Sequence, residues 1–196
     1  MKKFEELKFN IGELKGISAK NIEEHLKLYA GYVKHTNLIL EKIEELAQDA
    51  EKNAYALGEI QRRFGFEYNG MRNHEVYFES LSGGGNPLAD DSKLKKEIAA
   101  EWESYEKWLN RFKSIALTRG IGWAMLYYDR KENRLLSTWV DEQHLGQLQD
   151  CTLVLGIDMW EHAYVYDYPT SEKKKYIEAF FENLNWVTVE ENFKKV

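Results

Sequence analysis

Residues 154–168 read VLGIDMWEHAYVYDY. An apolar run stops at Asp158, and His162 follows four positions later with Trp160 and Glu161 between them. An Asp-x-x-x-His pair puts both side chains on one face where the backbone is helical, and such pairs are common on exposed helices. Here the pair closes an apolar stretch, CTLVLGI at 151–157, whose length and β-branched content predict a buried strand. A carboxylate and an imidazole at the end of a buried strand need partners to offset their loss of solvent.

Working outward, GWAMLYYDR at 122–130 and RLLSTWV at 134–140 predict two more strands around a turn at KEN, 131–133. An amphipathic helix is expected over Leu94–Phe112, and another over SEKKKYIEAFFENL at 171–184. Short strands bracketed by helices indicate an α/β domain with a small three-stranded antiparallel sheet. Upstream, LSGGGNPLADDS at 81–92 joins three glycines to one of the chain's two prolines and ends any helix before it. The chain before that break is helical in pattern. Ser18 can cap a helix starting near Ala19, along which Ile22, Leu26, Tyr29, Val33, Leu40, Ile43 and Leu46 recur at helical spacing. A second periodic stretch covers Ala54–Leu81, weakened by Gly65 and Gly70. The expected fold is α+β, with an N-terminal helical hairpin domain (1–86) followed by the α/β domain (87–196).

Composition excludes several classes. An apolar share of 43% and an aromatic share of 14% suit a globular chain. Cys151 is the lone cysteine, so no internal disulfide forms, which points to a reducing compartment. The opening MKKFEELKFN mixes charges without an apolar core, unlike a secretory signal, and no run reaches the ~18 apolar residues of a membrane span. A net charge of -6 argues against nucleic acid, which needs a basic face. The expectation is a cytoplasmic protein with neither nucleic-acid nor membrane partners.

Of the five histidines, His25 lies in the apolar stripe of the first helix and His74 in RNHEVYFESL on the second. A lone helix histidine is usually a satisfied polar residue. Together with Asp158 and His162, however, they make three imidazoles and one carboxylate, a donor set suited to manganese, iron or zinc. HEVY begins like a zincin motif but lacks the second histidine, and GGG precedes Asn-Pro rather than Lys-Ser/Thr of a phosphate loop. Cys151, inside an apolar run, reads as core. The residues alone leave redox and Lewis-acid chemistry both open.

Five segments in order resemble the iron/manganese superoxide dismutase family: ISAKNIEEH at 17–25, NHEVYFESL at 73–81, GIGWAML at 120–126, DMWEHAY at 158–164 and YIEAFFENLNWVTVEENF at 176–193. The likeness covers almost the whole chain. It implies that His25, His74, Asp158 and His162 hold one manganese or iron ion per subunit, completed by a solvent molecule, so that the metal ties the two halves together. It implies dismutation of superoxide to dioxygen and hydrogen peroxide by cycling between trivalent and divalent metal. Trp123 and Trp160 would wall the site. Glu161 would reach across a homodimer interface to the partner's His162 and fix its ring; pairing of dimers into tetramers is left open. The resemblance makes Tyr32 the gateway tyrosine, and Lys173 would steer the anionic substrate. The alternative function is a metal-holding scaffold of this family with little dismutase activity.

Three departures matter. The family's glutamine, which bonds the metal-held solvent, comes from the second helix in typical iron enzymes, but that position is Gly70. In typical manganese enzymes it comes from beside the sheet, where WVDEQHLGQL offers Gln143 or His144; Gln143, fifteen residues before Asp158, has the better spacing. Manganese is therefore the preferred metal. Val165 stands where relatives commonly place a tyrosine that links two subunits, and its histidine partner on the first helix is also missing. Finally, His25 and Tyr32 in HLKLYAGYV are seven residues apart where most relatives have eight. Seven residues make two turns, about 700° of rotation, so a regular helix without a π-bulge keeps both side chains on one face. An alignment without the gap would put Glu24, not His25, at the ligand position.

Overall fold

The computed structural model describes residues 2–195. Two long helices, α1 (Ala19–Ala47) and α2 (Ala54–Leu81), pack against each other. The Ser18 side chain accepts the Asn21 N–H at 3.1 Å and so caps α1, worth about 1 kcal/mol. α1 is α-helical throughout, with no π turn between His25 and Tyr32. α2 gives its apolar face to the core late, from Phe66 onward, with Met71, Tyr77, Phe78 and Leu81 buried.

Beyond the glycine-rich break come α3 (Lys93–Trp102) and α4 (Tyr105–Ala116). The single helix expected over 94–112 is thus two. Glu103 takes a left-handed φ of 68°, and Ser104 starts a new helix by accepting the Lys107 N–H at 3.1 Å. The turn brings fully buried Trp108 and Phe112 into the same core as Leu94 and Ile98. Each such aromatic contributes about 2 kcal/mol of burial, enough to offset one strained residue.

Strands β1 (Gly122–Asp129), β2 (Arg134–Asp141) and β3 (Cys151–Asp158) form an antiparallel sheet in the order β2-β1-β3. β1 is central, and its first six residues are buried. Gly122 starts it at φ +157°, where an added Cβ would lie 2.2 Å from the Val140 carbonyl oxygen, so only glycine fits. Trp123 pairs with Asp158, which sets the end of β3 beside the middle of the molecule. The chain then makes a 3-10 turn, Glu161–Ala163, so Asp158 and His162 sit on a strand end and a tight turn rather than on one α-helix.

α5 (Lys173–Asn183) and α6 (Trp186–Lys194) complete the fold. After α5 ends, the Asn185 side chain accepts the Val187 N–H at 3.2 Å and begins α6. α6 returns over the sheet, with Phe193 edge-on to Tyr128 at 5.4 Å. The overall arrangement is helices first, then an α/β unit with a three-stranded antiparallel sheet. No helix among the described residues is long and apolar enough to cross a membrane.

Candidate metal centre

α1, α2, the end of β3 and the 3-10 turn each contribute one side chain to a single point. One donor atom each from His25, His74, Asp158 and His162 lies within 4.8 Å of all the others. Asp158 Oδ2 is the hub: His25 Nε2 and His162 Nε2 are each 3.1 Å from it, and His74 Nε2 is 3.3 Å away. His25, His74 and Asp158 are wholly buried, while the His162 side chain is 20% exposed. Asp158 Oδ1 accepts the Trp160 backbone N–H at 2.8 Å, which folds the turn back over the carboxylate.

The protonation pattern makes this cluster electron-rich. His74 Nδ1 lies 2.6 Å from the Gly70 carbonyl oxygen, so that nitrogen carries the hydrogen and Nε2 presents its lone pair inward. Nε2 of His74 is buried and has no hydrogen-bond partner. Burial drives the His25 imidazolium down to a pKa of about 3, against the pull of Asp158, so the ring is neutral. Burial alone would raise Asp158, but the three imidazoles that face it, His162 first, hold it well below the usual carboxylate range. Imidazole nitrogens aimed from three sides at a buried carboxylate call for a cation among them. The spacing agrees, because two ligands each about 2.1 Å from one ion and about 100° apart stand about 3.2 Å from each other. The residues present fit a first-row transition metal.

Aromatic rings close the cluster off. Phe78 and Tyr77 lie 4.9 and 5.0 Å from the His25 ring, Trp123 5.1 Å from His74, and Trp160 stacks on His162 at 5.7 Å. Trp160 is pinned in turn by its indole N–H to the Glu142 carbonyl at 3.1 Å.

Gln143 and Tyr32 adjoin the cluster as one unit. The Trp123 indole N–H donates to Gln143 Oε1 at 2.9 Å, and Gln143 Nε2 donates to the Tyr32 hydroxyl oxygen at 3.0 Å. An indole can only donate, so the amide orientation is forced, and Tyr32 must accept from it and keep its own hydrogen for another acceptor. Burial, then the Asp158 charge, pushes the Tyr32 phenol above its ordinary range. The Tyr32 ring lies 5.0 Å from His74 and directly on Gly70, where a Cβ would meet it at 2.5 Å. Position 70 therefore cannot carry a side chain while Tyr32 stays in place.

The other predicted residues are placed as follows. His144 is half-buried against Phe66, its Nδ1 without a partner, and it is Gln143 that reaches Tyr32. Glu24 points away into contacts with Lys20 and Lys27 at 2.5 and 2.9 Å. Glu161 is exposed. Lys173 donates to the Gly120 carbonyl at 3.3 Å and lies 5.9 Å over the Tyr164 ring. Sequence reasoning missed the clamp on Gln143, whose main-chain oxygen accepts from Asn73 at 2.9 Å and Gln147 at 3.1 Å. Asn73 stands inside a quoted motif and was open to notice, whereas nothing in the loop around Gln147 marks it.

Three histidines and one aspartate converging between long helices and a short antiparallel sheet form a donor set suited to a transition-metal ion. Residues 90–192 match the C-terminal domain of iron/manganese superoxide dismutases. Across nearly the whole chain the protein is similar to the iron superoxide dismutase of Cupriavidus metallidurans, 36% identical over 89% of this chain and 87% of the relative. An iron superoxide dismutase of Aquifex aeolicus is 34% identical over 93% of this chain and 86% of the relative. A manganese superoxide dismutase of Halobacterium salinarum is 33% identical over 85% and 81%. The chain belongs to the iron/manganese superoxide dismutase family.

Proposed function

We propose that this protein is a superoxide dismutase whose metal is held by His25, His74, Asp158 and His162. The convergence of these four side chains in a buried, electron-rich cluster carries the reading. Two superoxide anions and two protons give one dioxygen and one hydrogen peroxide. A bound manganese or iron ion supplies the one-electron steps, alternating between trivalent and divalent states.

The chain's own residues do the rest. His25 and His74 from the hairpin unit (1–86), with Asp158 and His162 from the α/β unit (87–196), bind the ion and join the units. Phe78, Tyr77, Trp123 and Trp160 exclude bulk water. Gln143, its amide oriented by Trp123, holds the Tyr32 hydroxyl so that the phenolic hydrogen faces the cluster, ready to be lent when peroxide needs a proton. Lys173 draws the anionic substrate toward the mouth against a net charge of -6. Glu161, exposed beside the apolar and also exposed Val165 and Tyr166, faces a second copy of the chain and orients its His162. Manganese is the preferred ion, because Gly70 leaves α2 without a side chain there while Gln143 supplies the amide from beside the sheet.

Superoxide decay followed by stopped flow on manganese- and iron-loaded protein, with metal content measured on the same samples, tests this reading. Rapid decay with one metal per chain, faster for manganese, is expected. Full metal with negligible turnover would favour the scaffold alternative, and a faster iron form would reverse the metal assignment.

A further inference from the structure

Each ligand histidine offers one nitrogen to the cluster and needs a partner for the other, because that outer hydrogen bond sets the tautomer and the electron donation of the ring. His74 has its partner in the Gly70 carbonyl, 2.6 Å from Nδ1. His162 lies at the edge of the site, beside the exposed Glu161 turn. His25 is wholly buried, its Nε2 faces Asp158, and its Nδ1 has no partner.

One turn earlier on α1 stands Asn21, also wholly buried. Its Nδ2 donates to the Ala163 carbonyl at 2.6 Å, which fixes the amide so that Oδ1 is turned elsewhere. That Oδ1 is itself buried without a partner. Residues four apart share a helix face. A buried donor and a buried acceptor one turn apart, each unmatched, are costly separately and satisfied together.

We propose that Asn21 is a positioning residue: its Oδ1 takes the Nδ1–H of His25 through one buried water, while its Nδ2 holds the carbonyl next to His162. One carboxamide thereby couples a ligand from the helical half to the turn that carries a ligand from the α/β half. An oxygen acceptor on Nδ1 makes His25 a stronger electron donor at Nε2, which favours the trivalent ion and lowers its reduction potential. The inference rests on His25 being a ligand.

The test uses the manganese-loaded full chain and two readouts that do not depend on turnover: the rate of metal release to excess chelator, and the midpoint potential. Asn21→Leu, similar in bulk but without polar atoms, is expected to release metal about tenfold faster or more and to move the potential positive. Asn21→Asp keeps an oxygen toward His25, so release stays within about threefold of the parent, with the potential unmoved or more negative. The split between the variants separates a tuning role from packing alone, and Asn21→Asp keeps the test open if Asn21→Leu fails to fold. Equal potentials in parent and variants, or a positive shift in Asn21→Asp equal to that in Asn21→Leu, would overturn the proposal. Parent protein that takes up neither manganese nor iron would instead sink the site itself, a result visible before any variant is made.

Discussion

His25 and His74 project from the interiors of helices 29 and 28 residues long, whereas Asp158 ends a strand and His162 rides a three-residue 3-10 turn. The helix side is wholly buried, and its His74 is oriented by a backbone carbonyl that belongs to the same helix. The other side leaves His162 20% exposed and depends on groups around it: the Trp160 stack, the Trp160 backbone N–H on Asp158, and the Asn21 amide on Ala163. Long helices place their imidazoles in a fixed, buried frame, and His74 takes its orienting partner from its own helix. A strand end and a turn supply adjustable ligands that need support from outside, including, as proposed above, a second subunit.

The largest effects should break this comparison along its own line. His74→Ala removes a buried nitrogen that no solvent can replace, and Asp158→Ala removes the charge on which all three imidazoles converge. Both should abolish tight metal uptake and with it the metal-dependent rise in melting temperature. His162→Ala opens a place at the solvent edge where water can enter, so weak binding should survive. Elemental analysis after loading and desalting, paired with melting curves, reads all three. Full occupancy in His74→Ala or Asp158→Ala would strike that residue from the ligand set, and equal loss in all three would erase the distinction between the sides.

A smaller effect probes the seam where α2 meets Tyr32. In an ordinary helix Gly→Ala gains up to about 1 kcal/mol. At Gly70 the new Cβ would press on the Tyr32 ring at 2.5 Å, and overpacking costs about 1–3 kcal/mol. Gly70→Ala should therefore be net destabilising in urea unfolding, keep its metal, and lose the Tyr32–Gln143 bond. A stabilised variant would show that Tyr32 has room to move and that position 70 is not closed by it.

What could be read from the chain follows the same division. The helices and the three strands carry strong local signals, helical spacing of apolar residues and β-branched runs, whereas the grouping of His25 and His74 with Asp158 and His162 as one donor set followed from the family resemblance. Glu103–Ser104 carried only a weak one, a serine able to cap a new helix with no glycine or proline to mark the split, and it is tertiary burial of Trp108 that decides it. Spacing favoured Gln143 over the adjacent His144, and the Trp123 indole orients the Gln143 amide toward Tyr32. The absence of a π-bulge in α1 was readable, because the seven-residue interval from His25 to Tyr32 is a rule of helix geometry. Asn21 was not, since a polar residue on the buried side of a helix becomes informative only when its oxygen and a histidine nitrogen one turn later are both found buried and unmatched.

The smallest effect lies outside the ligands, at Lys173. Its ammonium is held near the Gly120 carbonyl and over Tyr164, so the charge is fixed in place, whereas Lys174 next door is exposed. A positioned cation accelerates an anion's approach through its field, and that field decays over about 30 Å at 0.01 M salt but only about 3 Å at 1 M. Lys173→Met should slow dismutation a few-fold at low salt, converge on the parent rate as salt rises, and change stability by no more than about 0.5 kcal/mol. Lys174→Met, removing the same charge next door, is the control for net charge alone and should change the low-salt rate less. Equal slowing in both variants would mean that Lys173 contributes only to overall charge. A slowing in Lys173→Met that persists at 1 M salt would place its role in packing under Tyr164 instead of in steering.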